Sequence, residues 1–539
     1  MKTKNNLHIY PYIVGVFAIL AGALLPIAVR AQTWIGGGGA DNNWSTAANW
    51  DSAPVFADNP TLTLTGTTNY TSNANAAVTL TRLNFNPAGG NATLTGEELT
   101  FKAGSGGTTP LIFIGPGTAG GNVTIKNNIK LLGTGAIQAS TRNLILDGDI
   151  TLTTGQVQFN ANASKTITIN GEISGTTSTL AFTGHTNGTG RIYLNTNNTY
   201  TGSTAIWTGG VVLAVDALNT GGAFGANTSA VALGASSGAT FTPSLLTGAQ
   251  VTVGRDIRVV TNTTGTTTST IGGESAHVST FSGNITLGSD NAAAAALRLT
   301  AAANGRVNIT GNLLRATGAA SNADAITKVG AGIVAIEGDG NTYMGATTLT
   351  EGTLLVNGNL STITGDAAAV TASVGTTLGG IGTIGRNVKI LDGASLEIGD
   401  NHIAETPVTG SLTIIGNLDL ADTTTVKFDL GATRTASDRL IVEGGVTFGG
   451  TVTFDLSALS GLGGSGYTLL SATGGFIGNT GSIVFTGYDF TNDYQLVIGT
   501  NSISLVSTAI PEPRTTALLI GGVFFGIIVA LRLRRNRQA

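Results

Sequence analysis

Acidic side chains are the residues of this chain whose types and spacing could do chemistry. The candidates lie between short apolar runs, most of them in close pairs: Asp147, Asp149, Asp339, Asp419, Asp422, Asp489 and Asp493. Paired carboxylates serve general acid and base catalysis, as in the hydrolysis of polysaccharides. Each acid is predicted at a turn, however, where Asp usually accepts hydrogen bonds from the backbone. The pattern therefore favours turns over catalysis, and we predict no catalytic residue.

Other groups that carry catalysis or bind metals are scarce. The four His residues are far apart in the sequence, Cys is absent, and no HExxH, GxSxG or P-loop motif occurs. Asp147 and Asp149 flank one glycine, but one short acidic turn offers too few oxygens for the roughly six to eight ligands of Ca²⁺. The sequence thus predicts no cofactor, no metal site and no enzymatic activity. The His residues are His8, His185, His277 and His402.

Composition indicates a folded chain with a thin core. The 539 residues include 79 Gly, only 10% are charged, and 41% are hydrophobic. That hydrophobic share is too large for a disordered chain. The net charge of −4 gives no indication of a nucleic-acid partner, which would need a basic surface.

The stretch Lys328–Gly358 sets the architecture that would position any site. Its apolar and β-branched runs Ile333–Ile336, Ala346–Thr350 and Thr353–Val356 are separated by Gly, Asn, Asp and Glu. Such runs predict strands, and they follow each other too closely for helical crossovers. Antiparallel hairpins in a sandwich and coils of a parallel β-helix both remain possible. The recurrence of the pattern without long helices favours an all-β parallel β-helix, or solenoid.

One sequence pattern occurs twice in the chain and is specific enough to compare with a known repeat. Asn198–Thr204 repeats the pattern of Asn341–Thr347, and each copy is followed by a Gly-containing apolar run. With Gly330–Gly332 and Gly352–Leu354, this resembles the autotransporter-associated β-strand repeat, at about residues 195–215 and 328–358. The resemblance implies a right-handed parallel β-helix of passenger type.

The rest of the chain divides by composition. Residues 1–31 read as a signal peptide that forms an apolar helix, with cleavage between Ala31 and Gln32. Residues 32–105 form a Trp-rich cap with the first strands, and residues 106–400 form the β-helix. Residues 401–508 form further β coils, where alternation around Phe428 and Phe454 predicts broader or more sandwich-like coils.

Three Trp residues near the N-terminus of the predicted mature chain have two possible roles. Trp34, Trp44 and Trp50 lie among Gly and Asn residues. They could close the exposed end of a solenoid, or they could present flat faces on which sugars stack. Their position at the start of the repeats favours the cap.

Residues 509–539 form a tail in three parts. A Pro511-Glu512-Pro513 motif precedes a predicted transmembrane helix at 515–533. The order resembles the PEP-CTERM sorting signal, which implies handling by an exosortase-type enzyme and delivery to the cell surface or matrix. A plain C-terminal membrane anchor is the alternative. The tail ends in a basic cluster of Arg532, Arg534, Arg535 and Arg537.

Together these features predict an exported bacterial protein of the cell surface or extracellular matrix, structural or adhesive in function. Its expected partners are the Sec translocon, an exosortase-type enzyme, the inner membrane and exopolysaccharide. The alternatives are a carbohydrate-active β-helix enzyme, lyase or hydrolase, and a polysaccharide-binding adhesin. A groove with three or more converging titratable groups would favour the enzyme, and a face of Thr, Asn and Ser would favour the rod.

Overall fold

The computed structural model describes residues 32–508, apart from 58, 67–68, 87–88, 103–110, 116–119, 185–188, 237–240, 262–266, 289–293, 317–323, 402–406, 460–461, 464–465 and 479. The predicted signal peptide and the predicted C-terminal tail therefore lie outside the described residues. Of the helices inside them, none has the length and apolar character to cross a membrane.

The described chain is an all-β parallel solenoid of about 15 turns. Each strand pairs in parallel with the equivalent strand one coil later, as Thr166–Ile169 does with Arg191–Leu194. The prediction of a parallel β-helix is confirmed. The right-handed sense stays a prediction.

The strands form five sheets, named A to E here. Sheet A contains Gln32–Trp34, Thr61–Leu64, Arg82–Phe85, Leu111–Ile114, Gly135–Ala139, Gln156–Ala161, Thr179–Gly184, Ser203–Ile206, Val231–Leu233, Ile257–Val259, Ile285–Leu287 and Leu313–Arg315. Sheet B contains Tyr70–Ala74, Ala92–Gly96, Val123–Ile125, Leu144–Leu146, Thr166–Ile169, Arg191–Leu194, Gly209–Leu213, Pro243–Thr247, Thr268–Gly273, Ala296–Ala301, Ala325–Val329, Thr347–Leu349, Val370–Ala372, Val388–Ile390, Leu418–Leu420, Val446–Phe448 and Phe476–Gly478.

The other sheets are shorter. Sheet C contains Val78–Leu80, Leu99–Lys102, Ile129–Leu132, Ile150–Leu152 and Ile173–Gly175. Sheet D contains Thr252–Val253, Val278–Phe281, Arg306–Ile309, Ile333–Ile336, Thr353–Val356, Thr377–Gly380, Ser395–Ile398, Thr424–Leu430, Val452–Ala458 and Ile483–Gly487. Sheet E contains Asn359–Leu360, Thr383–Ile384, Ser411–Ile414, Arg439–Val442, Tyr467–Ala472, Tyr494–Ile498 and Ser502–Ser507. Short 3₁₀ segments lie at Ala47–Asn49, Gly222–Phe224, Asp366–Ala368, Arg434–Ala436 and Thr480–Ser482.

The order in which the chain visits these sheets changes along the rod. It runs A, B, C in the early coils, A, B, D in the middle, and B, D, E from Thr347 onward. Sheet D thus continues the face that sheet C began, and sheet E continues the face of sheet A. Sheet B alone is an unbroken parallel series along the described rod.

The repeated Asn-Thr-Tyr turns lie where sheets C and A stop. Asn198 Oδ1 accepts a hydrogen bond of 2.7 Å from the backbone N–H of Ile173, the first residue of the last sheet C strand. Asn341 Oδ1 does the same at 2.7 Å for Leu313, the first residue of the last sheet A strand. Each amide therefore replaces a backbone partner that the next strand would have supplied.

The tyrosine of each turn is fully buried. The Tyr200 hydroxyl lies 2.8 Å from Thr204 Oγ1, and the Tyr343 hydroxyl lies 2.7 Å from Thr347 Oγ1. Arg386 packs over the Tyr343 ring at 4.2 Å from its centroid and is itself fully buried. The two turns thus have a structural role, since their tyrosines fill the interior at the levels where sheets C and A end.

The core is a stack of aliphatic side chains. Alternate residues point inward, so that Ile192, Val211, Leu245, Ile271 and Leu299 lie in one row of sheet B and are at most 2% exposed. A thin interior filled by stacked Val, Ile and Leu suits coils that repeat in register.

The C-terminal coils correct one expectation. They are broader, since Thr424–Leu430 and Val452–Ala458 pair in parallel along their whole lengths, but they do not form a sandwich. Phe428, Phe454 and Phe485 follow one another along the axis there in tilted and edge-on ring contacts, which extends the single interior. Antiparallel pairing between named strands is confined, within the described chain, to Ser502–Ser507, which pairs with Tyr467–Ala472 on one side and with Tyr494–Ile498 on the other.

Candidate functional site

Of the acids singled out from the sequence, Asp419 lies within the strand Leu418–Leu420, and the others lie at or next to turns. Asp149 Oδ1 accepts a hydrogen bond from the backbone N–H of Glu172 at 2.9 Å, and Asp422 Oδ1 accepts one from Thr451 at 2.7 Å. Asp489 accepts from Thr491, and Asp339 accepts from the Asn359 side chain at 3.2 Å. No three such groups converge on a possible metal site anywhere in the described residues.

Of the histidines, only His277 falls inside the described part of the chain. His8, His185 and His402 lie outside it.

The Trp residues near the start are buried. Trp34, Trp44 and Trp50 are at most 4% exposed. Trp44 donates its indole N–H to Ser72 Oγ at 2.6 Å and stacks on Phe56 at 6.1 Å between centroids. No indole face among them is open for stacking on a sugar, so the platform reading does not fit this geometry.

A groove on the outer surface of sheet B is the candidate site. It has a volume of about 500 Å³. It crosses the coils from Arg191–Leu194 to Ala325–Val329, where equivalent outward positions are aligned along the rod axis. Its lining is Arg191, Thr242, Ser244, Leu246, Thr270, Gly273, Glu274, Arg298, Thr300, Ala301, Ala302, Val329, Gly330 and Ala331.

Glycines in the outer surface of sheet B help to form the groove. Gly210 follows Arg191 in the outward row, and a Cβ there would lie 2.7 Å from the Arg191 side chain. At Gly272 a Cβ would lie 1.9 Å from the carbonyl oxygen of Thr300. The backbone thus excludes a side chain at Gly272, and a side chain at Gly210 would displace Arg191, whose side chain lies over that glycine.

An arginine and a glutamate meet in the groove. Arg191 Nε lies 3.9 Å from Glu274 Oε2, and their side chains are 29% and 30% exposed. Burial raises the pKa of Glu274, while Arg191 and a hydrogen bond with Tyr193 lower it. Burial also raises the pKa of Tyr193, and the Glu274 charge adds to that effect.

A second guanidinium lies farther along the groove. Arg298 stands in the same outward row as Arg191, is exposed, and has no hydrogen-bonding or ion-pair partner among the residues that the structure describes. Arginine binds carboxylates and sulfates through two parallel hydrogen bonds. Hydroxyl groups of Thr270 and Thr300 lie between small, apolar floor residues. The groove can therefore bind an anionic ligand that also carries hydroxyl groups.

Sequence reasoning missed this groove. Arg191, Glu274 and Arg298 are far apart in the chain, and no local motif contains them. Coil register brings them together, and that register depends on the lengths of the intervening turns. The one usable signal was the pair Gly209-Gly210 after the first repeat copy, since Gly210 lies next to Arg191 in the outward row.

A buried ionic network covers part of sheet D. Arg306 makes two hydrogen bonds to the Asp400 carboxylate, at 3.0 and 2.8 Å, and Asn357 donates to the same group at 2.8 Å. Arg306 is 4% exposed and Asp400 1%, although 94 residues separate them. The paired geometry compensates both buried charges, and it ties the turn after Ser395–Ile398 to an earlier coil.

Next to this network lies a cluster of carboxyl groups. Asp438 accepts hydrogen bonds from the backbone N–H groups of Gly410 and Asp429, at 2.9 and 2.7 Å. Burial raises the pKa of Asp438 to about 8, with Asp429 and Glu397 adding to the shift and the two N–H donors opposing it. Burial likewise raises the pKa of Asp429.

This shift predicts a pH dependence of stability. The folded state keeps a proton on Asp438 that the unfolded chain, with a pKa of 3.8, releases. The free energy of unfolding should therefore fall as the pH rises from about 4 to about 8, by at most about 1.4 kcal/mol per pH unit. Thermal melting at several pH values should show this slope, and Asp438→Asn should reduce it.

Asp339→Asn is the matched control, because Asp339 lies at an exposed turn. It should leave the slope unchanged. A slope that is the same in the wild type and Asp438→Asn would show that Asp438 is ionised in the folded chain.

Comparison with known proteins gives one similarity. No family model matches the chain. Over 193 residues, which are 35% of this chain, the sequence is 28% identical to the adhesin BmaC autotransporter of Brucella suis biovar 1. The match covers 5% of that protein. The similarity and the parallel solenoid together fit an autotransporter-like β-helix.

Proposed function

We propose that this chain is an exported structural and adhesive solenoid of the cell surface or extracellular matrix. The observation that carries the proposal is the parallel solenoid of about 15 coils. Such a rod satisfies its backbone hydrogen bonds along its axis and leaves open strand edges only at its ends. Similarity to an autotransporter adhesin supports an adhesive role at the surface.

Export and sorting are part of the proposal. Residues 1–31 would engage the Sec translocon, and the tail would pause in the inner membrane through its apolar run. An exosortase-type enzyme would then act at Pro511-Glu512-Pro513 and release the rod toward the surface or the exopolysaccharide. The sequence order of motif, apolar run and Arg cluster supports this route.

A carbohydrate-active enzyme is the second candidate. One observation favours it, namely the contact of Arg191 with Glu274 in the groove on sheet B, where Glu274 is also hydrogen-bonded to the neighbouring Tyr193. Glycoside hydrolysis commonly uses two carboxyl groups. Among the described lining residues, Glu274 supplies the single carboxylate. A lyase would suit the groove better than a hydrolase, since an arginine could neutralise a sugar carboxylate.

Cell fractionation tests the location. The full chain should appear in the surface or matrix fraction, and deletion of 511–539 should release it into the periplasm or medium. The reason is that the deletion removes both the sorting motif and the apolar run. Retention of the deleted chain on the membrane would contradict the sorting proposal.

A finer variant separates sorting from plain anchoring. Replacing Pro511, Glu512 and Pro513 by alanine keeps the apolar run and the Arg cluster. Under sorting, mass spectrometry should find this variant with an intact C-terminus in the inner membrane, whereas the wild type is shortened. Identical C-termini in both would support a plain anchor.

A further inference from the structure

We propose that the groove on sheet B binds an acidic polysaccharide through Arg191 and Arg298, with the glycan chain lying along the rod axis. The inference deepens the proposed function, on which it rests for the source of the ligand, by naming a site and a ligand class.

The spacing of the two arginines favours an extended ligand. Four strand steps in the outward row separate Arg191 from Arg298, passing through Gly210, Ser244 and Thr270. At about 4.8 Å per step, their Cα atoms are about 19 Å apart along the axis. A ligand that follows this row crosses several coils, and a polymer with repeated acidic groups can do so along the rod axis.

The charge of the groove favours a negative ligand. Its described lining carries two arginines and one carboxyl group, Glu274, whose pKa is raised by burial. The groove is therefore locally positive on a chain with a net charge of −4. Arg298 is exposed and has no salt-bridge partner in the described part of the protein, so its charge is available to a ligand.

The floor of the groove suits sugar rings. Gly272 has no space for a side chain, and Ala301, Ala302, Gly330 and Ala331 add little height. Leu246 and Val329 offer apolar contacts for the carbon-bound faces of a ring. Hydroxyl groups of Thr270 and Thr300 and the Glu274 carboxylate can hydrogen-bond sugar hydroxyls.

These features fit a glycan better than a nucleic acid. Binding of single strands usually combines a continuous positive groove with aromatic platforms on which bases stack. The groove has two separated cations, and no aromatic residue belongs to its described lining. A polysaccharide bearing carboxylate or sulfate groups at intervals matches the widely spaced arginines.

Binding of the purified full chain in detergent to immobilised polysaccharides tests the inference. The probes are polygalacturonate, dextran sulfate and neutral dextran, which separate carboxylate, sulfate and uncharged polymers. We expect binding to one or both acidic polymers and none to neutral dextran. Binding should weaken as salt is added, because the arginines are partly exposed.

Variants locate the site. Arg298→Glu and Arg191→Gln should each weaken binding by about tenfold or more, as expected for the loss of a charge-assisted hydrogen bond. Arg258→Glu, on an exposed position of sheet A, is the matched control and should bind like the wild type. Melting curves check that the variants are folded, and Arg298 is exposed, so its replacement should not disturb folding.

Several results would overturn the inference. These are no binding to either acidic polymer, equal binding to neutral dextran, or an equal loss in Arg258→Glu. Cleavage of the polymer into shorter chains with unsaturated ends would show that the groove is the active site of a lyase and not a binding site alone. A chain that reaches the surface but binds nothing contradicts the groove alone, whereas a chain that binds but is not exported contradicts the proposed function alone.

Discussion

Replacing Arg386 by alanine should destabilise the coils around Tyr343 by about 3–5 kcal/mol. The buried guanidinium donates to the backbone carbonyl oxygens of Tyr343, Gly345 and Ser361 and to the Ser361 hydroxyl. Alanine would remove the guanidinium donor from all three carbonyl groups, of which the Tyr343 carbonyl keeps the Ser361 hydroxyl as a donor. It would also remove the cation over the Tyr343 ring. Burial already lowers the pKa of Arg386, which shows the cost of holding the charge there.

Hydrogen exchange is the suitable measurement, since coils of a solenoid can open locally. A loss of about 3 kcal/mol corresponds to a fall in protection of about a hundredfold or more in the strands next to Tyr343. Arg258→Ala removes an exposed arginine from sheet A and should change protection little. Equal protection in the wild type and Arg386→Ala would mean that the carbonyl groups find other donors.

Replacing Trp44 by alanine should destabilise the first coils by about 3–5 kcal/mol. Trp44 is 1% exposed, packs edge-on against Trp50 at 5.7 Å between centroids, and accepts the Trp50 indole N–H on its carbonyl oxygen at 2.8 Å. Its loss would leave a cavity over the first coil. It would also uncover strand edges, which favours association between chains.

Melting temperature and light scattering should reveal both effects. Trp207→Ala is the control, because Trp207 is partly exposed in a middle coil whose neighbours stay paired on both sides. We expect a lower melting temperature with increased association for Trp44→Ala, and no association for Trp207→Ala. Association of both variants to the same extent would show that the Trp44 effect does not come from the end of the rod.

The fold was largely readable from the sequence because its information is local. Short β-branched runs predict strands, and the recurring Asn-Thr-Tyr pattern predicts a turn. The change of sheet at those turns could not be predicted, since it depends on where Asn198 and Asn341 meet the previous coil. That contact joins residues about one coil apart, at Ile173 and Leu313.

The candidate groove was harder to predict for the same reason. Asp residues in pairs attract attention in a sequence, yet Asp149 and Asp422 hold turns. Arg191 and Arg298 lie in strands, and Glu274 directly follows one, without any local motif around them. Their convergence arises from coil register and from glycines that remove side chains between them. Residue types alone could not place them together.

The continuity of sheet B should affect how the rod bends. This sheet runs unbroken along the described rod, while the face of sheets C and D and the face of sheets A and E are each interrupted once. The flexural stiffness should therefore differ with direction. Under flow or pulling, we expect bending to concentrate at the levels of Tyr200 and Tyr343, with sheet B acting as the spine. A ligand held along sheet B would then experience little strain while the other two faces flex.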